Sequence, residues 1–158
     1  MKKIILAILT TTTIYAGGVF SIGSKNVGLT VGSDNSLGNN YTVIGANVNY
    51  FVVDNLSLGA SYQMFLGGTP DIQQLNVPVT YYLPLENTTY RPYLGAFYNH
   101  TFIDEPYDDA NIYGGRAGVS LQTSPSSFMS FGWVQEFSKN GEESESRGYP
   151  EVTGGFSF

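Results

Sequence analysis

The chain has 158 residues, of which 7 are Lys or Arg and 13 are Asp or Glu. So acidic a chain cannot build the basic stripe that nucleic acid requires, which excludes that partner class. It has no cysteine, which excludes disulfides, a thiol nucleophile, zinc–thiolate sites and a lipidated N-terminal cysteine.

Met1-Lys2-Lys3 leads into an apolar run from Ile4 to Leu9, then Thr10 to Ile14 and Tyr15-Ala16-Gly17. A basic start, a short apolar run and a small residue at the cut predict a secretory signal peptide over 1–16, followed by a barrel domain over 17–158. The apolar run is too short to cross a bilayer as a helix, and no later segment is long enough either. Without Lys2 and Lys3 the balance is 7 − 2 = 5 basic residues against 13 acidic, or 5 − 13 = −8.

From there on the period is two, the repeat of a β-strand. The first strand is predicted near Asn26 to Gly32, with Val27, Leu29 and Val31 on one face. Gly17 to Lys25 either extends it or forms a periplasmic tail. A long hairpin follows from Tyr41 to Leu66. Its apolar face carries Thr42, Ile44, Ala46, Val48 and Tyr50, then Leu56, Leu58, Ala60, Tyr62, Met64 and Leu66, with Asp54-Asn55 as the turn signal. The fourth strand, Gln73 to Leu83, presents Leu75, Val77, Val79, Tyr81 and Leu83. Pro78 lies inside it, where the missing N–H predicts a bulge. The fifth, Pro92 to Ile103, presents Leu94, Ala96, Tyr98, His100 and Phe102. The sixth, Asn111 to Gln122, presents Tyr113, Gly115, Ala117, Val119 and Leu121. The seventh, Phe128 to Phe137, presents Met129, Phe131, Trp133, Gln135 and Phe137. The eighth, Tyr149 to Phe158, presents Val152, Gly154, Phe156 and Phe158.

The face so defined contains no Asp, Glu, Lys or Arg, whereas the strand-embedded charges Arg116, Glu136 and Glu151 all fall on the other. An Arg or Lys facing lipid at mid-plane costs roughly 2–4 kcal/mol, which is enough to shape a sequence this way. The expected fold is therefore all-β: an eight-stranded antiparallel, transmembrane, up-and-down barrel, greasy outside and plugged inside by small polar side chains. Arg116, Glu136 and Glu151 are expected to meet as one ion network in that lumen. Tyr50, Tyr81, Phe102, Trp133, Phe137 and Phe158 are expected near strand ends, where rings anchor at the membrane–water interfaces. The connections 33–40, 67–72, 104–110 and 138–148 are expected to be long and acidic, and those at the other end short, which puts both chain ends in the periplasm.

Tyr50-Phe51-Val52-Val53-Asp54-Asn55-Leu56-Ser57-Leu58-Gly59-Ala60, Arg91-Pro92-Tyr93-Leu94-Gly95-Ala96 and the terminal Gly154-Gly155-Phe156-Ser157-Phe158 together resemble the small bacterial outer-membrane barrels, the OmpA-transmembrane-domain and OmpX/Ail-like group. The resemblance covers nearly the whole chain after residue 16. It implies insertion into the cell outer membrane, among outer-membrane lipid and lipopolysaccharide. It also implies that the outer-membrane assembly machinery reads Phe156 and Phe158 as a C-terminal aromatic signal.

The expected role is a non-enzymatic membrane protein without cofactor or metal, presenting acidic loops to a surface ligand in envelope structure, adhesion or host interaction. His100, the only histidine, is read as an interfacial ring, since the next outward residue is Phe102 and no outward Ser accompanies it. Asp104-Glu105-Pro106-Tyr107-Asp108-Asp109 has oxygens for a divalent cation but no recognised loop spacing, so a solvated loop is expected. The competing classes are a soluble lipocalin-like barrel holding an apolar ligand, an outer-membrane lipid-modifying enzyme and a small pore.

Overall fold

The computed structural model describes residues 18–86, 89–140 and 143–158, and the side chains of 139, 140 and 143–145 fall outside that description. The predicted signal peptide, its cut after Ala16 and the loop residue Glu142 lie outside the described residues. Eight strands run β1 (Lys25–Ser36), β2 (Asn39–Val53), β3 (Leu56–Leu66), β4 (Ile72–Tyr82), β5 (Tyr90–Ile103), β6 (Ala110–Ser124), β7 (Ser127–Asn140) and β8 (Glu143–Ser157). They close into one antiparallel barrel in chain order, with β8 returning to β1.

Alternation decides the faces as expected. Val27, Leu29, Val31, Leu75, Val77, Val79, Phe131 and Val152 are exposed around the outside. Thr30, Asn76, Thr80, Asn99, Ser120, Glu136, Glu151 and Thr153 are buried within. A lipocalin would reverse this arrangement, so that alternative fails.

The register carries a stagger. From Lys25 it passes through Tyr50, Leu58, Val79, Ala96, Gly115 and Gln135 to Gly148. Gly148 lies three residues from Glu151, whose partner is Gly32, so the circuit returns level with Asn35, a stagger of 35 − 25 = 10 residues. Tilted strands of this number leave an interior that side chains fill. Glycines make room for the larger rings. Tyr93 is paired with Gly118, which is paired with Gly132, and a Cβ on Gly118 would stand 2.7 Å from the Tyr93 hydroxyl.

Three expectations about the strands need correction. At the end away from the chain termini, β1, β7 and β8 run past their predicted limits, so the connections 33–40 and 138–148 are mostly strand. β1 and β2 are joined by Leu37 and Gly38 alone, with φ of 51° and 77°. That two-residue turn needs positive φ at both positions, and a leucine there gives no warning in sequence. The expected difference in loop length disappears with it, because 83–89, at the terminal end, is as long as any connection at the far end. Pro78 does not cause a bulge. Pairing of β3 with β4 lapses between Leu58–Val79 and Ser61–Asn76 and resumes in the same register. The missing donor interrupts the ladder without inserting a residue.

Candidate functional site: the barrel lumen

The interior is built in layers. At the terminal end, Gly18 to Ser24 is neither strand nor tail, because it turns into the mouth of the barrel. Val19 and Phe20 are buried against Phe51, Tyr82, Tyr93 and Phe128. The Phe20 ring lies 4.7 Å from Tyr82 and edge-on to Phe51 at 6.0 Å, centroid to centroid, with the Arg91 guanidinium 4.9 Å from its own centroid. Backbone bonds pin the segment: Asn55 N–H donates to the Phe20 carbonyl at 2.8 Å, and Gly23 N–H to the Phe51 carbonyl at 2.9 Å. The Asp54 carboxylate accepts from Ile22 N–H at 2.8 Å. Nothing in the alternation pattern pointed to this, because the segment is not a strand. Its one signal was Val19-Phe20, an apolar pair directly after Gly17-Gly18.

Above the plug the lumen is polar. Thr30 and Thr153 hydroxyls share a bond of 3.0 Å, and Asn47 donates to Thr30 at 3.2 Å. Ser130 donates to Ser120 at 2.8 Å. Arg116 pairs with Glu151 and lies over the Tyr93 ring. The space left among these groups is about 30 Å³, room for one or two water molecules.

The predicted network of Arg116, Glu136 and Glu151 is in fact two clusters. Glu136 sits higher and takes Arg147 as its partner at 2.6 Å. It also accepts from the Tyr149 hydroxyl at 2.9 Å and from Asn99 at 3.2 Å. Arg147 in turn reaches Asp34 at 2.9 Å. The expected connections 33–40 and 138–148 would put Asp34 and Arg147 in outer loops, but the longer β1 and β8 turn both inward. A buried carboxylate needs a cation, and among the described residues Glu136 finds it in Arg147, which the loop reading puts outside the lumen. Over this cluster a second apolar group, Tyr41, Val43, Phe65 and Ile72, closes the far end. The Tyr41 hydroxyl is fixed to the Pro70 carbonyl at 3.0 Å.

Outside, Tyr50, Tyr81, Phe102, Phe137 and Phe158 are exposed toward strand ends. Trp133 is exposed too, but it stands in the middle of β7 opposite Ala117 and Pro150, away from either strand end. Phe156 is exposed beside Phe158 at the end of β8. His100 packs edge-on against Phe102 at 4.5 Å, and its Nδ1 is 2.9 Å from Asn111 Oδ1. Its Nε2 is 3.7 Å from Asp109. The Asp109 carboxylate accepts from Ile103 N–H at 3.2 Å, bracing the loop 104–109 against β5. Among the described residues no three His, Asp or Glu gather as metal ligands.

No family model matches the chain. Outer membrane protein W of Escherichia coli K12 is 28% identical over 152 residues, spanning 78% of this chain and 72% of that protein. Among solved structures, the N-terminal β-barrel domain of Pseudomonas aeruginosa OprF superposes with a TM-score of 0.69 at 17% identity, over 87% of this chain and 98% of that one. Neisserial surface protein A does so at 0.55 and 17%, over 85% and 94%. With a closed eight-stranded wall, apolar outside and polar within, and these relatives, the chain is an eight-stranded β-barrel of the outer membrane, similar to outer membrane protein W.

Proposed function

We propose that the protein is a closed, non-enzymatic barrel that holds surface loops in place, with no path for solutes through its lumen. One observation carries this reading. Val19-Phe20 with its aromatic partners fills one mouth, the Tyr41–Ile72 group fills the other, and about 30 Å³ of polar space lies between. A barrel sealed this way supplies rigidity and a platform. Asp71, Asp104, Glu105, Asp108 and Asp109 are exposed at the far end, which faces outward when an even strand number leaves both termini in the periplasm. They would give that surface an acidic character suited to a cationic ligand in adhesion or host contact. The remaining partners are the surrounding lipid and lipopolysaccharide, and during biogenesis the assembly machinery reading Phe156 and Phe158. His100 packs against Phe102 and bonds Asn111, whose Oδ1 also accepts from the Tyr98 hydroxyl, which supports reading it as a structural ring. The test is conductance in planar bilayers. The full chain should insert without stepwise current, and regular unitary steps from the wild-type protein would refute a sealed lumen.

A further inference from the structure

The wall has one weak seam. Between β1 and β8 the ladder runs from Asn26–Ser157 to Gly32–Glu151 and stops. Both strands go on toward the far end, β1 paired with β2 as far as Ser36–Asn39 and β8 with β7 as far as Asn140–Glu143. The cause is local. The next residue on β8 is Pro150, level with Ser33, and proline has no N–H to continue the ladder. Beyond it the two edges are joined by side chains, the Arg147 guanidinium reaching Asp34 at 2.9 Å and the Ser36 hydroxyl. A shallow, open groove of about 510 Å³ runs along the seam. Its lining includes Ser33, Asn35, Thr42 and Pro150, which belong to the outer surface, and Arg147 and Tyr149, which belong to the lumen side. The cleft therefore enters the wall from the membrane side, at the level where hydrocarbon gives way to headgroups.

We propose that this cleft binds the saccharide headgroup of an amphiphile in the outer leaflet. Its volume suits a ligand of one or two sugar rings. Apart from the Arg147–Asp34 pair, the polar part of the lining is neutral amide and hydroxyl, with the Asn35 amide donating to Asn40 at 2.7 Å, and the backbone edges of 33–36 and 147–149, which the β1–β8 ladder does not reach, add further donors and acceptors. An anionic headgroup finds no free cation, since Arg147 is shared between Asp34 and Glu136, two carboxylates to one guanidinium. A bare alkyl chain would leave those edges unsatisfied, which is costly at this depth. A hydroxyl-rich neutral ring satisfies them, and the opening on the lipid side lets its tail run down the barrel.

The chain carries its own reporter. Trp133 is the single tryptophan, and a Cβ on Gly148, at the rim of the cleft, would stand 2.7 Å from its ring. Full-length protein folded in lauryldimethylamine oxide, a sugar-free detergent, is titrated with dodecyl maltoside, dodecylphosphocholine or free maltose while Trp133 emission is followed. The expected result is a saturable change with dodecyl maltoside and none with dodecylphosphocholine. A matching response to maltose would assign the site to the sugar alone, and its absence to the sugar with its tail; either supports a saccharide site. Ser33→Cys with Pro150→Cys, made in a chain without native cysteine, places two thiols opposite each other across the seam. Oxidation should weaken the response at least tenfold relative to the same protein reduced. Asn35→Leu, checked for folding by heat-modifiable gel mobility, should weaken it without any thiol chemistry. Equal responses to the two detergents, or responses unchanged by both oxidation and Asn35→Leu, would overturn the proposal.

Discussion

Replacing Phe20 by alanine isolates the plug from the wall. A buried aromatic side chain removes roughly 150 Å² or more from water, worth about 4 kcal/mol at about 25 cal/mol per Å². Measured Phe→Ala costs run about 3–5 kcal/mol. Phe20 is only 4% exposed and sits among Phe51, Tyr82 and Arg91, so the full loss applies. That loss falls on the docking of Gly18 to Ser24 and leaves the strand ladders intact. The amides to watch are Asn55 and Gly23, which donate across the junction to Phe20 and Phe51. At about 1.4 kcal/mol per tenfold, their hydrogen exchange should quicken by roughly 10²- to 10³-fold, while amides in the middle of β5 keep their wild-type rates. Unchanged exchange at Asn55 would show that the ring does not hold the plug. Equal acceleration throughout β5 would show that plug and wall are one cooperative unit.

Arg147→Ala leaves Glu136 and Asp34 without their cation, and Arg116→Ala does the same to Glu151; each should cost about 3–5 kcal/mol in urea unfolding from lipid vesicles. The double variant should be additive to about 0.5 kcal/mol, because the clusters share no ion-pair partner, and strong coupling would restore the single network. Tyr41→Phe removes the only described side-chain donor to the buried Pro70 carbonyl and should cost about 1 kcal/mol in the same assay, so an unchanged midpoint would refute that anchor. Phe158→Ala leaves the backbone bonds between Phe158 and Lys25 available. Refolding into detergent should proceed as in the wild type while outer-membrane levels in cells fall, and equal levels would argue against the terminal ring as an assembly signal.

The wall was legible in the sequence because its physics is local. A lipid-facing position must be apolar whatever its neighbours do, so the outward sets of β4, β6 and β7 could be written down from alternation alone. What failed depended on partners distant in the chain. Strand ends were misjudged where polar residues such as Asp34 and Arg147 continue a strand above the apolar belt, and polarity there looks the same as a loop. Trp133 is expected toward a strand end by residue type, whereas β7 runs on to Asn140 and leaves it in the middle of the strand. Pro78 drew notice by interrupting a clean apolar alternation. Pro150, whose effect is larger, sits where the pattern was already weak. The plug was missed because two apolar residues before the first strand carry no period.

The pairing of β1 with β8 is also the one that joins the chain's most distant segments. Closing it costs the largest loop entropy, and its ladder is among the shortest in the barrel. These two facts compound. If the strands pair in chain order, the contact that closes the circle is also the one with the shortest ladder, so β8 should peel first when the carboxyl end is pulled in a force spectrometer. The rupture would start at the Phe158–Lys25 bonds and need cross only the short ladder up to Pro150, beyond which Arg147 stands in for the missing rungs.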